Sequence, residues 1–205
     1  MDIENENSSR NPVKAILIFL VLFVLPAGAL YFLNAGKNFR QDYLKDLSDM
    51  GKIAAFNLPN QDNQDINPAL LKGKVSVVHF LTEDASTAKA EVERISKLHE
   101  SFDDTEDVVF LSFLATDSTT SLREEAARLG IIDNKQWFLI GSGKTELERM
   151  AKENFHLADP YNTVALVDTA LTVRNLYNIG QNEEMGRLVV HISMIVPKQK
   201  KRTGM

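Results

Sequence analysis

Nineteen consecutive residues without a charge, Ala15 to Leu33 (AILIFLVLFVLPAGALYFL), constrain this chain more than any other feature. As a helix rising about 1.5 Å per residue, the run spans about 28 Å, close to the hydrocarbon thickness of a bilayer. Lys14 precedes it, Lys37 and Arg40 follow it, and Tyr31 stands where an interfacial aromatic would sit. Pro26 and Gly28 are tolerated in membrane helices. Ala27-Gly28-Ala29 resembles a signal-peptide cleavage site, but the apolar run continues through Leu33, beyond the usual span of about 7–15 residues. A retained transmembrane anchor is therefore the expectation. Basic residues flank both ends (Arg10 and Lys14; Lys37, Arg40 and Lys45), so charge does not decide the orientation.

The expected layout is a polar tail over 1–14, the anchor over 15–33, a linker over 34–52, one domain over 53–196 and a basic tail over 197–205; within the linker, Asn34–Asp49 reads as a linker or short helix, with Tyr43, Leu44 and Leu47 as weak helical signals. The segment MDIENENSS reads as disordered. With 205 residues, 44% of them hydrophobic, the part outside the anchor can bury a sizeable core. The net charge of −5 gives no broad attractive field for phosphate backbones, so no nucleic-acid partner is expected. Lys198, Lys200, Lys201 and Arg202 read as a solvated terminus; contact with anionic lipid is the sharper alternative. The chain contains no cysteine. Disulfides, Cys-ligated zinc, Cys-held iron–sulfur clusters and thiolate nucleophiles are thereby excluded, while the compartment stays open.

Beyond the linker, strands and helices alternate. Ile53 to Leu58 looks like a short strand, followed by the turn-rich PNQDNQDINP. Val75 to Leu81 (VSVVHFL) and Val108 to Leu114 (VVFLSFL) read as buried strands. Ala85–Ser101, Ser118–Leu129, Thr145–Asn154 and Glu183–Val196 read as helices, the last stopped by Pro197. Trp137–Ile140 is a short strand. Thr163–Val167 and Thr172–Tyr177 flank Asp168-Thr169-Ala170 as an antiparallel hairpin. The order implies an α/β fold with a mixed sheet flanked by helices, of which the thioredoxin-like fold is one form.

Several stretches, taken in order, resemble the SCO/SenC family of membrane-anchored, thioredoxin-fold copper chaperones for cytochrome c oxidase. They are FNLPNQD, LKGKVSVVHFLT, DVVFLSF, WFLIGSGKTELERMAKENF and LVDTALTVRNLYN, and together they cover roughly Phe56 to Val196. The resemblance implies a thioredoxin-like fold for 53–196. In the family, copper and redox chemistry rest on a Cys-Pro-x-x-Cys-Pro type motif and one distant His. Alignment on Thr82 puts Asp84 and Ala88 at the two cysteine positions, with Ala85 and Lys89 where prolines follow. Counting back from Asp168 puts Pro160 at the His position. Soft thiolates suit Cu(I), and one carboxylate does not replace two thiolates and an imidazole. The chain thus looks like a degenerate member lacking all three ligands.

Other constellations are weaker. His79, His99, His156 and His191 are isolated in sequence. His79 reads as a hydrogen-bonded core residue and the other three as surface residues, and no pair has helical metal-site spacing. Gly141-Ser142-Gly143-Lys144-Thr145 resembles the end of a P-loop, but Phe138 stands where its first glycine is needed, so a plain turn is expected. Glu83 and Asp84 follow the central strand. A cation- or partner-binding carboxylate pair is one reading; capping of the next helix by Asp84, Ser86 or Thr87 is the favoured one. Ser86 has no base on a recognised motif, so nucleophilic catalysis is unsupported.

The expectation is a membrane-anchored, non-catalytic interaction or assembly factor for a respiratory oxidase, with its soluble domain in the periplasm and no cofactor or metal. A metal site built from other His and carboxylate residues, and a partner-binding module unrelated to the oxidase, are the alternatives. Fold analogy alone carries the oxidase link.

Overall fold

The computed structural model describes residues 12–117 and 119–197. The readings for residues 1–11, Ser118 and the tail 198–205 lie outside them. The chain divides into two units, residues 1–43 and 44–205.

The described residues of the first unit are helical. Helix α1 covers Pro12–Phe19, a π-turn covers Leu20–Val24, and α2 covers Leu25–Lys45 and runs into the second unit. The wide turn directly precedes Pro26, and there the Leu25 N–H donates to the Leu20 carbonyl five residues back. Proline has no N–H and its ring crowds the carbonyl four residues earlier, so a local widening relieves the contact. The stretch Ile16–Asn34, 19 residues with mean hydropathy 2.7, is long and apolar enough to cross a membrane, and it coincides with the expected anchor within one residue. Of the stretch 34–49, where a linker or a short helix is expected, the residues through Lys45 are helical and continue α2.

The second unit is built on a five-stranded sheet in the order β5-β4-β3-β6-β7. These strands are β3 (Val75–Phe80), β4 (Val108–Ala115), β5 (Trp137–Ser142), β6 (Thr163–Val167) and β7 (Val173–Asn178). β3, β4 and β5 are parallel; β6 and β7 are antiparallel, as the alternation of elements requires. The crossovers are α4 (Ala85–His99), α5 (Leu122–Leu129) and α6 (Lys144–Phe155), and α7 (Asn182–Ile195) closes the fold. Strand side chains alternate between faces. Val75, Val77, Phe110 and Leu139 therefore meet Ile95, Leu129, Leu188 and Ile192 from α4, α5 and α7. Val78, Phe80, Leu111 and Phe113 meet Leu147, Met150 and Phe155 from α6 on the other face.

Helix α5 begins later than the periodicity suggests. Asp117 Oδ1 accepts from Thr119 N at 2.9 Å, Thr119 Oγ1 at 2.7 Å and Thr120 Oγ1 at 2.9 Å, so the chain turns first. Ser121 then caps the helix through the Glu124 amide.

The strand expected over Ile53–Leu58 shrinks to β1 (Leu58–Pro59), paired with β2 (Asp65–Ile66) ahead of the one-turn helix α3 (Pro68–Leu71). The residues before it run along the free edge of β7. Ser48 N donates to Arg174 O at 2.9 Å, Met50 N to Val173 O at 3.1 Å, Val173 N to Gly51 O at 3.0 Å, and Ile53 N to Leu171 O at 3.0 Å. Gly51 takes φ +109°, a conformation open to glycine. The opposite edge, β5, is met by an antiparallel bridge between Asn60 and Ile140 and by the Gln61 side chain. Gln61 Nε2 donates to Trp137 O at 2.9 Å, and its Oε1 accepts from Leu139 N at 2.8 Å, imitating a neighbouring peptide. Gln61→Ala would leave two buried backbone groups of β5 without partners. We expect a loss of about 2 kcal/mol in unfolding free energy by urea titration.

Candidate functional site

Parallel α/β sheets present ligands at the carboxyl ends of their strands, which places the candidate site where β3 passes through Thr82, Glu83 and Asp84 into α4. Asp84 is the N-cap of α4. Its Oδ1 accepts from Thr87 N at 2.8 Å, Ser86 Oγ at 2.7 Å and Thr87 Oγ1 at 2.7 Å. The Ser86 and Thr87 donors hold its carboxyl down at about 2. The capping role expected from the sequence is what the structure displays, and Ser86 and Thr87 both serve that cap.

Ala88, one turn later, is buried in the core of that face and offers no donor atom. Pro160 lies beyond α6, half-buried, and with Phe80, Leu81, Phe113, Leu147, Tyr161 and the acidic Glu148 it lines a mostly apolar cavity of about 10 Å³. That volume is at the lower limit for one water. Phe80 stacks on Phe113 at 4.8 Å, with Phe155 against both. The two non-acidic positions predicted from the alignment thus sit in apolar packing.

Glu83 points across to α6, where Lys144 Nζ is 2.8 Å from its Oε1. Both side chains are more than half exposed, so the pair adds little to stability. The GSGKT segment is the end of β5 and the start of α6. Gly141 is explained by packing: a Cβ there would stand 2.8 Å from Leu122 Cδ2 and 3.0 Å from Thr116 Oγ1. Burial, followed by the charge of Glu148, pushes the Tyr161 hydroxyl above its ordinary range.

The histidines depart in part from expectation. His79 is in the core, with Nδ1 3.4 Å from Ser112 Oγ, which accepts from Trp137 Nε1 at 2.7 Å. Burial drives its imidazole down to about 3, so it is neutral at physiological pH. His191 is fully buried, a correction to the surface reading: its Nδ1 is 2.6 Å from the Tyr177 hydroxyl. His99 is also largely covered; its Nε2 is 3.0 Å from Asp133 Oδ2, and its ring lies against Phe110 and Trp137. Both lie on amphipathic helices, where the polar side chain alone does not tell which neighbours receive it. His156 is exposed at the end of α6, with φ +58°. Among the described residues no three His, Asp or Glu side chains gather at one metal position.

One residue was missed from the sequence. Glu91 lies on the inward face of α4 with Ala88, Val92, Ile95 and Leu98, and only 6% of it is exposed. Its Oε2 accepts from Thr82 N at 3.2 Å. Burial pushes its carboxyl up to about 7, with Thr82 pulling the other way. Its spacing, three after Ala88 and four before Ile95, was a signal that it faces inward.

No protein-family model matches the chain, and no characterised protein matches it in sequence. Its fold has many solved counterparts. A SCO1/SenC family lipoprotein from Bacillus anthracis superposes with a TM-score of 0.61 at 19% identity, over 71% of this chain and 95% of that one. A copper-bound ScoI from Bradyrhizobium japonicum gives 0.55 at 13% identity, over 71% and 99%. A putative protein disulfide isomerase from Bacteroides thetaiotaomicron gives 0.59 at 17% identity, over 74% and 92%.

The cap at Asp84 has a measurable consequence. Asp84→Ala should lower the melting temperature at neutral pH, and Asp84→Asn should lower it less. Because the folded value lies below the ordinary 3.8, the difference between wild type and Asp84→Asn is full above that pH and shrinks as pH falls through about 2. Thermal unfolding across that range checks it. The second unit of this chain is a thioredoxin-like domain similar in fold to SCO1/SenC proteins, and the sequence that builds it contains no cysteine.

Proposed function

We propose that this chain is a membrane-anchored, non-redox SCO-like protein that acts by binding partners, as an assembly or interaction factor for a respiratory oxidase, without carrying copper. The reading places the soluble domain in the periplasm and assigns it no catalysis. One observation carries it: a domain similar to SCO structures over almost their whole length contains no cysteine, and the sequence alignment on Thr82 and Asp168 sets Asp84, Ala88 and Pro160 where the family's ligands are expected. Asp84 is committed to the α4 cap, Ala88 has no donor, and Pro160 sits in apolar packing. The oxidase link comes from one solved neighbour, BsSco, described as a member of the Sco family of cytochrome c oxidase assembly proteins. The apolar helix Ile16–Asn34 supports the anchor by length and composition.

A second reading has its own support. Thiol–disulfide oxidoreductases superpose with comparable scores, so a partner-binding domain without any oxidase connection suits the same fold.

Copper titration of the full chain in detergent, with Cu(I) and Cu(II) each against a competing chelator, tests the first reading. We expect no tight stoichiometric binding. One-to-one binding that survives the chelator would overturn it and reinstate a chaperone role through His and carboxylate ligands. Crosslinking in native membranes then separates the two partner readings: oxidase subunits or assembly factors support the first, and their absence supports the second.

A further inference from the structure

Glu91 is a carboxylic acid placed among apolar side chains beneath the turn that carries the candidate site. Ala88, Val92, Ile95 and Leu98 share its face of α4, and Leu81 lies in the same core. Its polar partner is Thr82, whose amide lies 3.2 Å from Oε2 and whose side chain also acts on the carboxyl. Thr82 is the last residue before Glu83 and Asp84, and its hydroxyl lies 3.4 Å from the Asp84 carbonyl. Glu91 is therefore the tie between the middle of α4 and the β3–α4 turn.

The two protonation states of this group have different requirements. A neutral carboxyl can remain among aliphatic side chains while it accepts one amide hydrogen bond. A carboxylate in the same place loses its hydration and keeps only what Thr82 offers, its amide at 3.2 Å and its side chain, which together do not compensate for desolvation. We propose that Glu91 is a proton-operated latch on the β3–α4 turn: protonated, it stays seated against Thr82; charged, it swings toward solvent and loosens the turn that presents Glu83 and Asp84.

The surrounding charges leave this balance to Glu91 itself. Glu83 is paired with Lys144 of α6, and Asp84 is held in its cap. Burial is the largest influence on Glu91, Thr82 opposes it, and among the described residues no charged group of any element enters. The resulting value of about 7 puts the change at neutral pH. Since it lies above the ordinary 4.5, the stabilising contribution is complete below 4.5 and is lost as pH rises through about 7.

The test uses the full chain in detergent micelles, with no partner or metal present, so its outcome is separate from that of the oxidase reading. The Glu91 carboxyl is followed by carbon-13 NMR, and hydrogen exchange of the Thr82 amide is compared between wild type and Glu91→Gln from about pH 5 to about pH 8.5. The carboxyl should titrate near neutrality. The ratio of Thr82 exchange rates, wild type over variant, should be near one at the acid end and rise about tenfold at the alkaline end. A carboxyl midpoint with ordinary glutamates, near about 4.3, would overturn the latch, as would a ratio that stays flat through the titration. Should Glu91→Gln fail to fold, the same comparison is made in wild type between Thr82 and the buried amide of Val78, with the same outcomes deciding.

Discussion

β3 is covered on both faces, and all six of its residues are buried. A strand in that position has no water to satisfy its polar groups, so its hydrogen bonds must come from within the fold. They come from β4 on one side, in parallel register from Val75–Val108 to Phe80–Phe113, and from β6 on the other, antiparallel from Ser76–Val167 to His79–Val164. The parallel pairing requires a long crossover, which α4 supplies, and the antiparallel pairing brings the hairpin to the far side. The helices on each face then follow from the need to cover a sheet that is apolar above and below. The place where β3 emerges from this cover, at Thr82, is where the chain first meets solvent and polar side chains. That is why the candidate site lies there.

At that exit the polar groups serve local ends. Three donors converge on one oxygen of Asp84, which satisfies the helix terminus and leaves the turn defined by its own side chains. Opposite, Pro160 and Tyr161 close over Phe80 and Phe113 with almost no free volume. The Asp84 carboxylate is thus taken up by one backbone amide and two hydroxyls, and Glu83 by the Lys144 ammonium.

Ionisable groups inside the core act in opposite senses. His79, held neutral by burial, favours the fold above its ordinary value of 6.5 and costs stability as pH falls toward about 3. Glu91 favours the fold when protonated and costs stability as pH rises through about 7. Between 4.5 and 6.5 the two slopes oppose each other. Each group has a backbone or hydroxyl partner and no counter-charge, so burial is the dominant cause in both cases.

Much of this was legible in the sequence because it rests on short-range rules. Apolar runs with β-branched residues marked the central strands, the order of elements fixed the mix of parallel and antiparallel pairings, and an Asp two and three residues before Ser and Thr marked the α4 cap. What the sequence did not carry were pairings between distant residues. Gln61 completes β5 from 76 residues away, residues 48–53 lie along β7 from more than 100 residues away, and His191 finds Tyr177 only because α7 packs on that strand. A polar residue on an amphipathic helix has the same local pattern whether a partner waits inside or water waits outside. Periodicity therefore determined which elements form and which faces turn inward, while the tertiary packing alone decided which buried polar groups meet a partner, because hydrogen bonds are satisfied in space and not along the chain.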